Sequence, residues 1–180
     1  KLEKLLISGD LKPNKESVLR YFLFCCYTGL RYTDIKNLKF KHLKTDIYTD
    51  KNGYKTDINI IEIIMHKTAK LVKIPIIPDA EKLIQYPEIF SKEMSVFHVM
   101  TSQPTNRYLK EIAKHSGIEK KLSFHVSRHT LATNSLEHGI PIEVISQILG
   151  HKDLKTTQIY AKVSNNLKIK EMLKFEKKTL

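Results

Sequence analysis

Three short stretches of this sequence carry side chains that could handle a phosphate. In Thr28-Gly29-Leu30-Arg31-Tyr32-Thr33-Asp34-Ile35-Lys36-Asn37-Leu38 an arginine follows a glycine turn and opens a short helix. His125-Val126-Ser127-Arg128-His129 begins a second helix, and Ile148-Leu149-Gly150-His151 leads on to Tyr160. A guanidinium is a planar, permanently charged fork that suits the non-bridging oxygens of a phosphate, and a pentacoordinate phosphorane still more. Histidines supply donors or proton transfer near neutral pH. A tyrosine hydroxyl, with a free pKa near ~10, becomes a nucleophile only beside positive charge or a base. Taken singly, each residue also has a plain structural reading: an ion-paired arginine, or a core tyrosine with a wet hydroxyl. His125 and His129 could share a metal, but no Cys or third His stands at zinc spacing.

Such groups need a scaffold, and the bulk properties allow one. The 180 residues fit one domain with a sizeable core, and a hydrophobic content of 41% argues against disorder. The net charge of +12, from 31 Lys and Arg against 19 Asp and Glu, attracts polyanions over long range. Nucleic acid is therefore the first partner to test, with an anionic membrane surface as the rival. The longest apolar run, Tyr21 to Tyr27, is far too short to span a bilayer. Cys25 and Cys26 are adjacent, which is no disulfide framework; at least one reads as a small packing residue, and a reducing cytoplasm fits. The chain opens at Lys1 rather than at a methionine, and the expectation is a fragment cut near a domain boundary.

The elements that must position the reactive groups follow from periodicity. Lys15 to Tyr27 is apolar nearly all round, which predicts a central helix ended at Thr28-Gly29. A short helix is expected over Thr33 to Leu38. Asp46 to Thr49, Ile58 to Met65 and Leu71 to Ile76 are rich in β-branched residues and predict strands, the last two forming a hairpin that turns at Lys67-Thr68-Ala69-Lys70. Helical patterning returns over Asp79 to Tyr86, Pro104 to Ser116 and Val126 to His138. Further helices are expected from Pro141 to Gly150, over Leu154 to Tyr160 and over Leu167 to Lys174. The sum is an α+β domain, mainly helical, with a small antiparallel β-sheet inserted after the first helices.

The order Arg31, Lys67, His125-x-x-Arg128, Leu149-Gly150-His151, Tyr160 resembles that of the tyrosine site-specific recombinases, the phage integrase family. "TGLRYTDIKNL" resembles the family's first arginine box, and "FHVSRHTLATNSLEHGIPIEVISQILGHKDLKTTQIY" resembles the second nearly end to end. The resemblance runs from Leu2 through the tyrosine helix and implies a recombinase catalytic domain over residues 1–180, with an upstream core-binding domain missing. It implies catalytic roles for six residues. Arg31 and Arg128 would clamp the scissile phosphate, and Lys67 would protonate the leaving 5′-oxygen. His125 would act as acid or base near the tyrosine, His151 would donate to the phosphate, and Tyr160 would attack to form a 3′-phosphotyrosine bond. Lys70 and Lys73 lie on the same hairpin as alternatives to Lys67. Asp34 matches the family's usual acidic residue and would orient its region. His129 would be a buried hydrogen-bonding residue.

Neither a cofactor nor a metal ion is implied, because the bond energy is kept in the protein–DNA linkage. The expected partners are double-stranded DNA and other protomers in a synaptic tetramer, in a bacterial cytoplasm and on a mobile element. The basic, apolar-striped tail from Lys168 to Lys178 would dock on a neighbouring protomer. The competing function is a non-catalytic helix-turn-helix regulator built on Asn134 to Tyr160. It accounts for the charge and leaves Arg31, Arg128 and Tyr160 without a purpose.

Overall fold

The computed structural model describes residues 1–161 and Leu173. Helix α1 (Leu2–Ser8) leads into α2 (Pro13–Thr28), which opens with Pro13 in its first turn, where the missing N–H costs nothing. Being apolar nearly all round from Val18 onward, α2 places Val18, Leu19, Tyr21, Phe22, Phe24 and Cys25 in the core. It packs against α1, α4 (Pro78–Glu81), α5 (Ser102–His115) and α6 (His125–Glu137). The helix ends at Gly29, whose φ of 68° is the left-handed conformation that side chains resist. A Cβ there would also stand 2.5 Å from Leu131 Cδ2 and 2.7 Å from Leu149 Cδ2. Glycine is required at this point twice over.

After α3 (Tyr32–Lys36) the chain forms a three-stranded antiparallel meander in the order β1-β2-β3. Its strands are β1 (Leu43–Thr49), β2 (Lys55–Ile64) and β3 (Leu71–Pro75). The register pairs Leu43 with Ile61 and Ile64 with Leu71, so Ile61, Ile63, Val72 and Ile74 all reach the core. The β2–β3 turn is closed by Met65 N–H donating to the Lys70 carbonyl at 2.8 Å, with Ala69 in a left-handed conformation at φ 54°. The strands and turn lie where β-branched density predicted them.

One helix is shorter than its pattern suggested. Of Asp79 to Tyr86, only Pro78–Glu81 is helical, and the chain then turns outward. Phe40 draws the Tyr86 and Phe90 rings to centroid distances of 5.6 and 5.1 Å, a side-chain packing that replaces the last helical turns. The predicted helix over Leu167 to Lys174 and the tail from Lys168 to Lys178 lie outside the described residues, Leu173 excepted. The remaining helices, α7 (Ile142–Ile148) and α8 (Lys155–Ala161), pack on each other and on α6. A second, small core forms there from Ala132, Leu136, Ile145, Leu149 and Tyr160. No helix among the described residues is long and apolar enough to cross a membrane.

Candidate active site

The two arginines that sequence places far apart meet at the end of α2. Arg31 caps α3, and its backbone N–H donates to Asp34 Oδ2 at 3.2 Å. The other oxygen of that buried carboxylate, Oδ1, accepts from the backbone N–H of His66 at 2.9 Å. Asp34 thus ties the first arginine to the base of the β2–β3 hairpin. Arg128, only 3% exposed, sits in the first turn of α6 and reaches across the core. One terminal nitrogen donates to the carbonyl of Gly29, the other to the carbonyl of Leu149. A guanidinium has five N–H groups, so three remain for another acceptor. Arg128 is therefore a structural tie between the first box and the loop before His151.

Arg31, Lys67, His125 and Arg128 line one cavity of about 330 Å³. Arg31 Nη1 is buried without a protein hydrogen-bond partner, an uncompensated donor that an anion would satisfy. Burial and the nearby Arg31 charge depress the Arg128 pKa to about 10, which still leaves it cationic at neutral pH. Burial, followed by the charges of His129, Arg128, Arg31 and Lys67, lowers His125 from its ordinary value, so its ring is neutral and able to accept a proton. The site concentrates positive charge without an acidic counterpart on the cavity wall, which is an anion-binding arrangement.

The hairpin lysines separate cleanly. Lys67 is exposed and lines the cavity. Lys70 Nζ donates to the backbone carbonyl of His151 at 2.6 Å. Lys73 pairs with Asp46 at 3.0 Å on the outer face of the sheet. Of the three, Lys67 is the one presented to the arginines.

His151, like Tyr160, is not among the side chains that line this cavity. It is buried, lies against a second cavity between β3 and α7, and bonds through Nδ1 to Thr157 Oγ1 at 2.7 Å. Burial first, then the charges of Arg128, Arg31 and Lys70, lower its pKa to about 4, so it is uncharged at pH 7. It does not line the arginine cavity, yet it lies close enough to feel the charges of both arginines. The short loop at Gly150, φ 59°, turns its side chain inward toward α8.

Tyr160 is 6% exposed in the small core, and burial raises its pKa even though Arg128 and Arg31 pull the other way. Its ring meets His129 edge-on at 5.2 Å, and His129 meets His125 edge-on at 4.5 Å. His129 is half-buried and forms part of an aromatic bridge from the cavity to the tyrosine, a placement that the sequence reading did not assign to it. Thr157 was missed, and Lys70 was read only as an alternative to Lys67, not as a partner of His151. Their only sequence signals were a threonine one turn before Tyr160 and a second lysine in the hairpin turn. Among the described residues, no group of three or more His, Cys, Asp or Glu side chains is arranged to hold a metal ion.

Residues 1–166 match the phage integrase family. The chain belongs to that family. It is 34% identical over 182 residues to tyrosine recombinase XerD of Listeria monocytogenes serotype 4b, covering 96% of this chain and 59% of that protein. A tyrosine recombinase of Thermosipho africanus is 34% identical over 146 residues, covering 79% of this chain and 48% of its own. The chain thus spans about half the length of the curated relatives it matches. Its fold is shared with the crystal structure of XerA recombinase, at a TM-score of 0.62 and 24% identity over 97% of this chain and 62% of that one. The XerH recombinase bound to a palindromic difH substrate in a post-cleavage complex superposes at a TM-score of 0.65, with 20% identity over 96% of this chain and 50% of that one.

Proposed function

We propose that this phage integrase chain is the catalytic part of a site-specific DNA recombinase that breaks and rejoins strands through Tyr160. The observation that carries the reading is the convergence of Arg31, Arg128, Lys67 and His125 on one cavity, Arg31 carrying a guanidinium nitrogen that has no protein partner. A phosphodiester there would accept from both arginines as its negative charge grows toward the phosphorane. The Tyr160 oxygen would bond to phosphorus, its proton passing to neutral His125 or to water. The bond from phosphorus to the 5′-oxygen would break, with Lys67 supplying the proton to that oxygen. The product is a 3′-phosphotyrosine, and a 5′-hydroxyl from a partner strand reverses the step. In this structure Tyr160 is buried, so α8 must shift for its hydroxyl to reach the phosphate.

The relatives support the partners. XerH is described bound to its DNA substrate, and a transposon integrase in complex with a circular intermediate DNA has the same fold at a TM-score of 0.64. The proposal extends to this chain a double-stranded DNA substrate, a synaptic assembly of protomers, a bacterial cytoplasm and a further domain upstream that closes on DNA. The helix-turn-helix regulator has no observation in its favour, since it gives Arg31 and Lys67 no reason to meet.

The test is covalent capture. The full-length protein is mixed with a pool of genomic duplex fragments, denatured in detergent, and the protein-linked DNA is sequenced. The expected result is DNA joined to Tyr160, recovered in EDTA and lost in Tyr160→Phe while that variant still binds DNA. DNA binding without any covalent species from the wild type would overturn the recombinase reading.

A further inference from the structure

One buried group is left without a purpose by the site described above. Thr157 is fully buried one helical turn before Tyr160, whereas its neighbour Thr156 is exposed. A buried hydroxyl needs a partner, and Thr157 Oγ1 finds one in His151 Nδ1 at 2.7 Å. His151 is buried too, and its carbonyl accepts from Lys70 Nζ of the β2–β3 turn at 2.6 Å. Three separate pieces, the lysine hairpin, the loop after α7 and the tyrosine helix, therefore meet at this one histidine.

The protonation of the ring decides what that meeting does. His151 is neutral at pH 7, held so by burial and by Arg128, Arg31 and Lys70. A neutral imidazole has a single N–H, and the bond made by one nitrogen determines where that hydrogen sits. A hydroxyl donating into Nδ1 leaves Nε2 as the donor. If Nδ1 carried the hydrogen instead, the threonine would accept it, and the ring would have no N–H left for a substrate.

We propose that Thr157 is a positioning residue, which donates its hydroxyl hydrogen to His151 Nδ1 and so keeps Nε2 protonated for a phosphate oxygen. Because Thr157 and Tyr160 share one turn of α8, seating the nucleophile helix and setting the histidine tautomer are one event. The proposal rests on the recombinase reading and on the role that the family resemblance implies for His151, donation to the phosphate.

Two variants and a spectrum test it on the 180-residue chain. Thr157→Val keeps the branched shape and removes the donor; Thr157→Ser keeps the donor and removes the methyl group. Nitrogen-15 spectra of labelled histidine should show the Nε2–H tautomer for His151 in the wild type and in Thr157→Ser. Thr157→Val should give mixed tautomers or Nδ1–H. In covalent capture with the full-length protein, on a site recovered as described above, Thr157→Val should slow Tyr160–DNA formation about tenfold or more, since a misplaced imidazole proton is costly in proton-dependent chemistry. DNA affinity should stay within about twofold, because no contact to DNA is removed. Thr157→Ser should restore the rate. An Nδ1–H tautomer in the wild type overturns the proposal without reference to any variant, and so does an unchanged tautomer in Thr157→Val. A tautomer that follows the hydroxyl, together with no covalent DNA from the wild type, would instead sink the recombinase reading and leave the threonine–histidine bond standing.

Discussion

Replacing Arg128 by lysine should destabilise the fold, whereas the same change at Arg31 should not. Arg128 satisfies two carbonyls at once, those of Gly29 and Leu149, from separate nitrogens of one planar group. A lysine ammonium sits on a single point and can reach one of them at best, so one buried carbonyl loses a charge-assisted bond. Such a bond contributes about 1.5–3 kcal/mol, and an orphaned buried acceptor costs a similar amount. The charge is unchanged, so repulsion between positions 31 and 128 offers no relief. The expected loss is about 2–3 kcal/mol for Arg128→Lys. Arg31 differs because its Nη1 is buried without a protein partner. Shortening it removes an unsatisfied donor, and the expected change for Arg31→Lys is within about 0.5 kcal/mol. Equilibrium urea unfolding of both variants and the wild type, with a common slope, measures the difference. Equal losses at the two positions, or a loss below about 0.5 kcal/mol for Arg128→Lys, would refute the assignment of Arg128 as a tie between the two boxes.

Gly29→Ala combines a left-handed residue, costing about 1–2 kcal/mol, with overlaps onto Leu131 and Leu149 that add about 1–3 kcal/mol. Its urea midpoint should fall accordingly, and an unchanged midpoint would mean that the turn can relax. Asp34→Asn leaves an amide N–H₂ facing one of two backbone N–H donors, and should speed hydrogen exchange at His66 with a loss of about 1–3 kcal/mol. Stability should also fall with acid. His151 has a folded pKa of about 4 against an ordinary 6.5, so between those values the unfolded chain binds a proton that the folded one does not. The loss as pH drops through that window is up to about 3 kcal/mol, and His151→Gln should flatten the urea-midpoint profile between pH 6.5 and pH 4.

Much of this site was legible before any coordinates. The glycine turn before Arg31, the arginine three residues after His125 and the tyrosine after Leu149-Gly150-His151 are local signals, because each depends on where a helix starts or stops. The strands were legible for a related reason: a run of β-branched residues such as Ile58 to Ile64 has few other comfortable conformations. The helix over Asp79 to Tyr86 was overread, since its pattern could not reveal that Phe40, forty residues earlier, holds Tyr86 and Phe90 elsewhere.

Sequence by itself determined which residues could do the chemistry and on which elements they ride, because capping, turn geometry and hydrophobic period are properties of neighbouring residues. Tertiary structure alone decided what each of them touches. Among three similar hairpin lysines it turned Lys67 to the cavity, Lys70 to a carbonyl and Lys73 to Asp46. It also seated Tyr160 in a small core, set His129 between that ring and His125, and buried His151 against Thr157. Those partners come from packing between segments distant in the chain, where orientation follows from the available space and the carbonyls left over, and no local pattern encodes either.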